Sequence, residues 1–125
     1  MSVARVLVVD DDRSNCDVVA RLLADRGYEV DTASDGESAL AMLEQSHYDL
    51  AVLDYQMPGM DGVELLTKAK ELRPELVGVF LTAYTTIDKV FPAIQAGAER
   101  VLSKPPDVQE LLPLVERLVG PATAD

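Results

Sequence analysis

The sequence is short of several things, and each shortage removes a class of function. Cysteine occurs once, at Cys16, so no internal disulfide can form and a cytoplasmic location is expected. Basic residues number 11 against 22 acidic ones, for a formal net charge of −11. That balance opposes a phosphate backbone or an anionic lipid surface, so neither nucleic acid nor membrane is expected as a direct partner, and any output through DNA needs another chain. Long apolar runs are missing too: the N-terminal MSVARVLVVDDD turns acidic after a stretch too short for a signal peptide or a spanning helix. The chain has no linker, internal repeat or low-complexity segment, and only PATAD, residues 121–125, reads as a frayed tail. The 125 residues, 48% of them hydrophobic, are enough for one domain with a real core, expected over residues 1–120.

What is present alternates between strand and helix patterns. Val3 to Val9 predicts a strand, Val18, Val19, Leu22 and Leu23 share one face of a helix ending at Gly27, and Tyr28 to Ala33 predicts a second strand. Ser34 with Glu37 forms a capping box for a helix carrying Ala39, Leu40 and Leu43, before a third strand from Leu50 to Leu53. Asp61 with Glu64 caps the next helix, whose apolar face is Val63, Leu66, Ala69 and Leu72 and which Pro74 ends. Leu76 to Leu81 makes a fourth strand, Thr85 or Thr86 opens a fourth helix, Arg100 to Ser103 is a short fifth strand, and Asp107 with Glu110 caps the last helix. Pro92 and Pro113 fall several residues past the caps of the last two helices. There a proline deletes a hydrogen bond and clashes with the carbonyl four residues back, so a kink or a delayed start is expected in both.

Strand composition orders the sheet. Strands one, three and four are nearly continuous apolar runs, as in a parallel sheet covered on both faces, whereas YEVDTA alternates and RVLS is short and half polar. Strands two and five are therefore the edges. With right-handed crossovers this is compatible with an α/β doubly wound sheet of order 2-1-3-4-5, whose ligand crevice lies at the carboxyl ends of strands one and three.

That crevice receives Asp10 and Asp11 from strand one and Asp54 from strand three. Carboxylates brought so close repel, and the usual remedy is a hard divalent cation: Mg²⁺ takes one or two carboxylates, a carbonyl and several waters, leaving room for phosphate. Thr82, at the end of strand four, adds a hydroxyl, and Lys104, at the end of strand five, adds a compact cation. Carboxylates for a metal and for attack, one hydroxyl and one ammonium describe a phosphoryl-transfer site. Asp12 and Asp61 are read as helix caps, His47 as a solvated loop residue and Cys16 as a packed, idle thiol.

VDDD at 9–12, LDYQMPGMDG at 53–62, LTAY at 81–84 and SKPP at 103–106 together resemble the motif regions of the receiver domain of two-component response regulators, in order and spacing, across about residues 4 to 118. The resemblance implies a flavodoxin-like fold. It makes Asp54 the phosphoacceptor, Asp10 and Asp11 with Asp54 and the backbone carbonyl of Gln56 the Mg²⁺ ligands, Thr82 the switch hydroxyl and Lys104 the lysine that pairs with the phosphoryl group. The donor would be a phosphohistidine on a sensor histidine kinase or histidine phosphotransfer protein. The product is a labile acyl phosphate later hydrolysed by water, so the protein would be a signalling phosphoacceptor rather than an enzyme. Pro58 and Gly59 allow the turn that aims the Gln56 carbonyl. Gln56 and Tyr84 flank the site and would tune the acyl-phosphate lifetime, and Pro105 becomes a cis-proline candidate.

The departures concern output. The aromatic usually found three residues before the lysine is Val101, and the aromatic after the lysine-proline pair is Pro106. A β-branched aliphatic has no polar tip to swing between buried and exposed positions. With Pro92 and Pro113 on the same side, an altered output face is expected, or output through the first helix. An unknown partner or effector domain would receive it, whether the receiver stands alone or belongs to a longer regulator. Two other readings compete. A haloacid-dehalogenase-type phosphatase wants a DxD nucleophile after strand one, where VDDD lacks the small polar residue that follows. A flavin or nucleotide module wants a Ser/Thr/Gly-rich phosphate loop where DDDRSN stands.

Overall fold

The structure is a computed structural model, and it describes residues 4–55, 57–83, 92–104 and 107–121. Calls on Val3, Gln56, Tyr84, Thr85, Thr86, Pro105, Pro106 and residues 122–125 lie outside those residues. In chain order the elements are β1 (Arg5–Val9), α1 (Arg13–Asp25), β2 (Glu29–Ala33), α2 (Gly36–Gln45), β3 (Leu50–Leu53), α3 (Gly62–Leu72) and β4 (Val77–Thr82). A helical turn at 92–95, the described part of α4, precedes β5 (Ala98–Ser103) and α5 (Val108–Val119). The strands form one parallel sheet of order β2-β1-β3-β4-β5, with β2 and β5 at the edges as strand composition predicts and the whole order as the receiver resemblance implies. β3 is buried throughout, and β1 and β4 beyond their first residues, whereas both edge strands mix buried and exposed positions.

Alternation along the strands splits the core in two. Leu7, Val9, Leu53 and Phe80 pack beneath α2 and α3 with Leu43, Leu65 and Leu66, while Val6, Val8, Val79 and Leu81 pack beneath α1 and α5 with Val19, Leu23, Leu111 and Val115. Successive residues of a strand face opposite sides, so a strand buried on both must be apolar at every position. Truncating one such leucine to alanine typically costs about 2–5 kcal/mol.

Four helices begin at an aspartate: the side chains of Asp12, Asp35, Asp61 and Asp107 each accept a backbone N–H of the first turn. This satisfies otherwise orphaned donors and sets negative charge against the positive end of the helix dipole. In a parallel α/β sheet these helix starts follow the carboxyl ends of the strands, so the caps also fix where each strand-end loop stops. α1 ends in a Schellman motif: Gly27, at φ 104°, donates to the Ala24 carbonyl and Tyr28 to that of Leu23.

Four sequence expectations need correction. Val18 is 50% exposed, and the buried face of α1 is Cys16, Val19 and Leu23, so the apolar stripe starts on the cysteine. The cap of α2 is Asp35, which accepts from the Ser38 N–H at 2.7 Å; because the helix starts at Gly36, Ser34 falls one residue too early. On α3, Leu65 is buried while Leu72 is 41% exposed. The delayed start expected from Pro113 does not occur: α5 begins directly after Asp107, whose side chain accepts from Gln109 rather than Glu110, and runs unbroken through the proline. Pro113 lies on the exposed side, where water can satisfy the carbonyl that loses its partner.

Candidate functional site

At their carboxyl ends, main-chain hydrogen bonds tie β3 to β1, β1 to β2, and β5 to β4. Asp54 N–H donates to the Val9 carbonyl at 2.9 Å, Asp10 N–H to that of Ala33 at 3.2 Å, and Lys104 N–H to that of Thr82 at 2.9 Å. Asp10 and Asp54 thus leave adjacent strands side by side, and Lys104 leaves β5 level with the end of β4.

Asp10 is 5% exposed and fixed through both oxygens. Its Oδ1 accepts the Asp12 N–H at 2.9 Å and its Oδ2 accepts from Lys104 Nζ at 2.7 Å. The same ammonium lies 3.2 Å from Asp54 Oδ2. Asp11, exposed, completes a group in which each of the three carboxylates brings an oxygen within 4.8 Å of the others. Thr82, 1% exposed, closes the floor at the end of β4.

One cation shared between two carboxylates leaves an imbalance. Burial, followed by the charge of Asp10, pushes the Asp54 carboxyl above its ordinary range, and Lys104 only partly opposes this. Burial pulls the Lys104 ammonium down, but its hydrogen bond to Asp10 and the charges of Asp54 and Asp10 outweigh that and raise it. Three carboxylates thus gather around one ammonium. The site is therefore short of positive charge. Three converging carboxylate oxygens are a hard donor set, and they fit a small divalent cation.

Of the site residues read from the sequence, Asp10, Asp11, Asp54, Thr82 and Lys104 arrive at one end of the sheet, while Gln56, Tyr84 and Pro105 lie outside the described residues. Cys16 is buried, its Sγ 3.7 Å from the Val8 carbonyl, and burial raises the thiol, which suits an idle role. His47 is exposed and pairs with Asp49 at 3.0 Å. Sequence reasoning missed the packing beneath Asp54: Tyr55 and Phe80 are buried with ring centroids 5.6 Å apart, and Gly62 lies against them. The Asp61-Gly62 pair was the available signal, and it was read only as a cap.

Among the described residues no helix is long and apolar enough to cross a membrane. The family model described as response regulator receiver domain matches residues 6–116. A curated relative, the transcriptional regulatory protein ZraR of Klebsiella oxytoca, is 39% identical over 106 residues, which is 85% of this chain and 24% of that protein. The chain spans between 24% and 52% of the length of such curated relatives. Among solved structures, chemotaxis protein CheY4 of Vibrio cholerae is 34% identical with a TM-score of 0.88, covering 94% of this chain and 99% of that one. A response regulator protein from Burkholderia pseudomallei, solved with a phosphorylated aspartic acid, calcium ion and citrate, is 27% identical with a TM-score of 0.82, covering 92% and 66%.

Proposed function

Because the chain belongs to the response regulator receiver domain family and is a phosphoacceptor module of two-component signalling, we propose that Asp54 is the residue that accepts the phosphoryl group. An Asp54 carboxylate oxygen attacks the phosphorus of a phosphohistidine in line, the O–P bond forms, the P–N bond breaks, and the histidine leaves with its electron pair. Water later cleaves the mixed anhydride. The observation that carries this reading is Asp54 standing at the end of a buried strand with a lysine ammonium 3.2 Å from its Oδ2. Burial strips water from its carboxylate and pushes it above its ordinary range, and the Lys104 ammonium partly opposes that shift.

Asp10, Asp11 and Asp54, with the Gln56 carbonyl, would hold Mg²⁺, which when bound supplies positive charge for the equatorial oxygens of the transferred group. Lys104, already placed between Asp10 and Asp54, meets the charge that builds on the phosphoryl oxygens. Thr82 contributes its hydroxyl from the end of β4. Gln56, two residues after Asp54, and Tyr84, two residues after Thr82, are the proposed modulators of the acyl-phosphate lifetime.

The donor is a sensor histidine kinase or a histidine phosphotransfer protein, in a cytoplasmic system. The receiver unit comprises residues 1–120, with 121–125 as a tail. Its output goes to another domain or protein through a face altered at Pro92, Val101, Pro106 and Pro113. Supporting this, Val101 is half-buried against the α3-side core, a position with no polar tip to rotate. The test is intact-mass spectrometry after incubation with acetyl phosphate, with and without Mg²⁺, on the wild type and Asp54→Asn. A Mg²⁺-dependent gain of one phosphoryl group, removed by hydroxylamine and absent from the variant, is the expected result. An equal gain on Asp54→Asn would sink the assignment.

A further inference from the structure

We infer that Gly62 is a positioning residue for the phosphoacceptor: its missing side chain is the space in which the main chain of Asp54 rests. The inference builds on the reading of Asp54 given above.

Glycine at 62 is not explained by its own backbone. The described glycines with positive φ are Gly27, Gly59, Gly97 and Gly120, and Gly62 is not among them. The cause is contact. A Cβ at Gly62 would lie 2.3 Å from the Asp54 carbonyl oxygen, 2.5 Å from Phe80 Cε1 and 3.1 Å from Tyr55 Cα. Gly59, on the same loop, has the opposite character: its φ is +82° and a Cβ there would meet nothing within 4 Å. One glycine of the loop serves the turn and the other serves the contact.

Nothing around Gly62 can give way cheaply. The Asp54 carbonyl is main chain, and the strand behind it is held by the Asp54 N–H bond to Val9. Phe80 is 0% exposed and its ring packs on that of Tyr55. From the other side, α3 is pinned by Leu65, Leu66 and Ala69, all buried, and its first N–H, that of Gly62, donates to the Tyr55 carbonyl at 2.8 Å. The helix start is therefore seated on the main chain of the phosphoacceptor. Moving a 2.3 Å approach out to ordinary contact needs roughly 1 Å of displacement. Asp54 would take much of it, while Asp10 and Lys104, on β1 and at the end of β5, would not. A 1 Å error in the placement of a reacting group can cost about a hundredfold in rate.

The experiment compares the wild type, Gly62→Ala, Phe80→Leu and the double variant Gly62→Ala/Phe80→Leu. The double variant removes the ring contact, so that it folds, and keeps the contact to the Asp54 carbonyl. Three quantities are read on each: the rate of phosphorylation by acetyl phosphate, the Mg²⁺ affinity by calorimetric titration, and the urea midpoint. Relative to Phe80→Leu, the double variant should fold cooperatively, phosphorylate about a hundredfold more slowly and bind Mg²⁺ about tenfold or more weakly. A role limited to packing would lower the midpoint and leave the rate and Mg²⁺ affinity of the folded protein unmoved, and that result overturns the inference. So does failure of both alanine variants to fold, since the contact would then decide folding alone. If the wild type itself takes up no phosphoryl group, the reading of Asp54 fails separately, and the Mg²⁺ affinities still decide the role of Gly62.

Discussion

Replacing Lys104 by methionine keeps the unbranched stem and removes the only cation that pairs with Asp10 and Asp54 among the described residues. The side chains of Lys104, Asp10 and Asp54 are 15%, 6% and 11% exposed, so water screens the group only in part. Removing one member of a buried ion pair costs about 3–5 kcal/mol, and the open crevice lowers that here to roughly 2–3 kcal/mol. For a domain of this size such a loss corresponds to a fall in Tm of about 8–12 °C, read by calorimetry at neutral pH without divalent cation. The loss should depend on pH with a definite sign. The folded-state pKa of Asp54 already lies above its ordinary value through burial and the charge of Asp10, and losing the lysine raises it further. A carboxyl raised in the folded state favours folding below its unfolded pKa and loses that contribution as pH rises through the folded value. The gap between variant and wild type is therefore widest at neutral pH and closes as Asp54 protonates. Mg²⁺ at a hundredfold excess over its Kd should return about 2.7 kcal/mol to the folded state. A variant whose Tm matches the wild type at neutral pH, with or without Mg²⁺, would refute the claim that Asp10 and Asp54 depend on this lysine.

Asp54→Asn should unfold at the same or higher urea concentration than the wild type at neutral pH and lose that advantage in acid, because the raised Asp54 pKa makes its ionised form the costly one; lower stability at neutral pH would contradict this. Asp12→Ala removes the acceptor for the Ser14 and Asn15 N–H groups and should cost about 1 kcal/mol in urea unfolding, with Asp12→Asn close to wild type. Tyr48, whose hydroxyl donates to Asp31 Oδ2 at 2.6 Å, is pushed up to about 12 by burial and that hydrogen bond. An alkaline absorbance titration should therefore show a late tyrosine ionisation near pH 12, and Tyr48→Phe should reduce its amplitude by one tyrosine.

What was legible in the sequence follows from how many physical constraints bear on each residue. Strands buried on both faces leave no freedom at any position, so Leu50, Ala51, Val52 and Leu53 announce a central strand without help from their neighbours. The strand-end residues were legible for the same reason: Asp10 and Asp54 are polar where apolar runs stop, and topology sends both to one crevice. Helix faces were read less well. Val18 and Leu72 fit an apolar stripe by spacing, but the sheet's curvature and the start of each helix decide which residue reaches the core, and both lie exposed. Caps depend on a single residue of register. Ser34 and Asp35 are both good caps, and only the start of the helix at Gly36 chooses between them. The role of Gly62 was hidden because close approach of two main-chain segments leaves no pattern in a sequence beyond the glycine itself.

The route from the site to the surface is narrowed by the same geometry. Thr82 lies opposite Ser103 and Phe80 opposite Val101 in the pairing of β4 with β5, and the Lys104 N–H holds the Thr82 carbonyl. A rearrangement of the Thr82 or Lys104 side chain therefore acts on β5 at two consecutive points of one ladder. In a receiver with an aromatic at position 101, a side-chain rotation could relay that movement while the strand stayed still. Val101 has one preferred rotamer and packs half-buried on the core beneath α3, so it has nowhere to rotate. On the proposed switch, the movement would pass instead through the main chain of β5 and into α5, whose cap Asp107 stands three residues beyond Lys104. That helix carries Pro113 on its exposed side, where a missing hydrogen bond makes the helix easiest to bend. On that reading the departures at 101 and 113 belong together: position 101 offers no side-chain relay, and the helix that would move in its place lacks one hydrogen bond at Pro113.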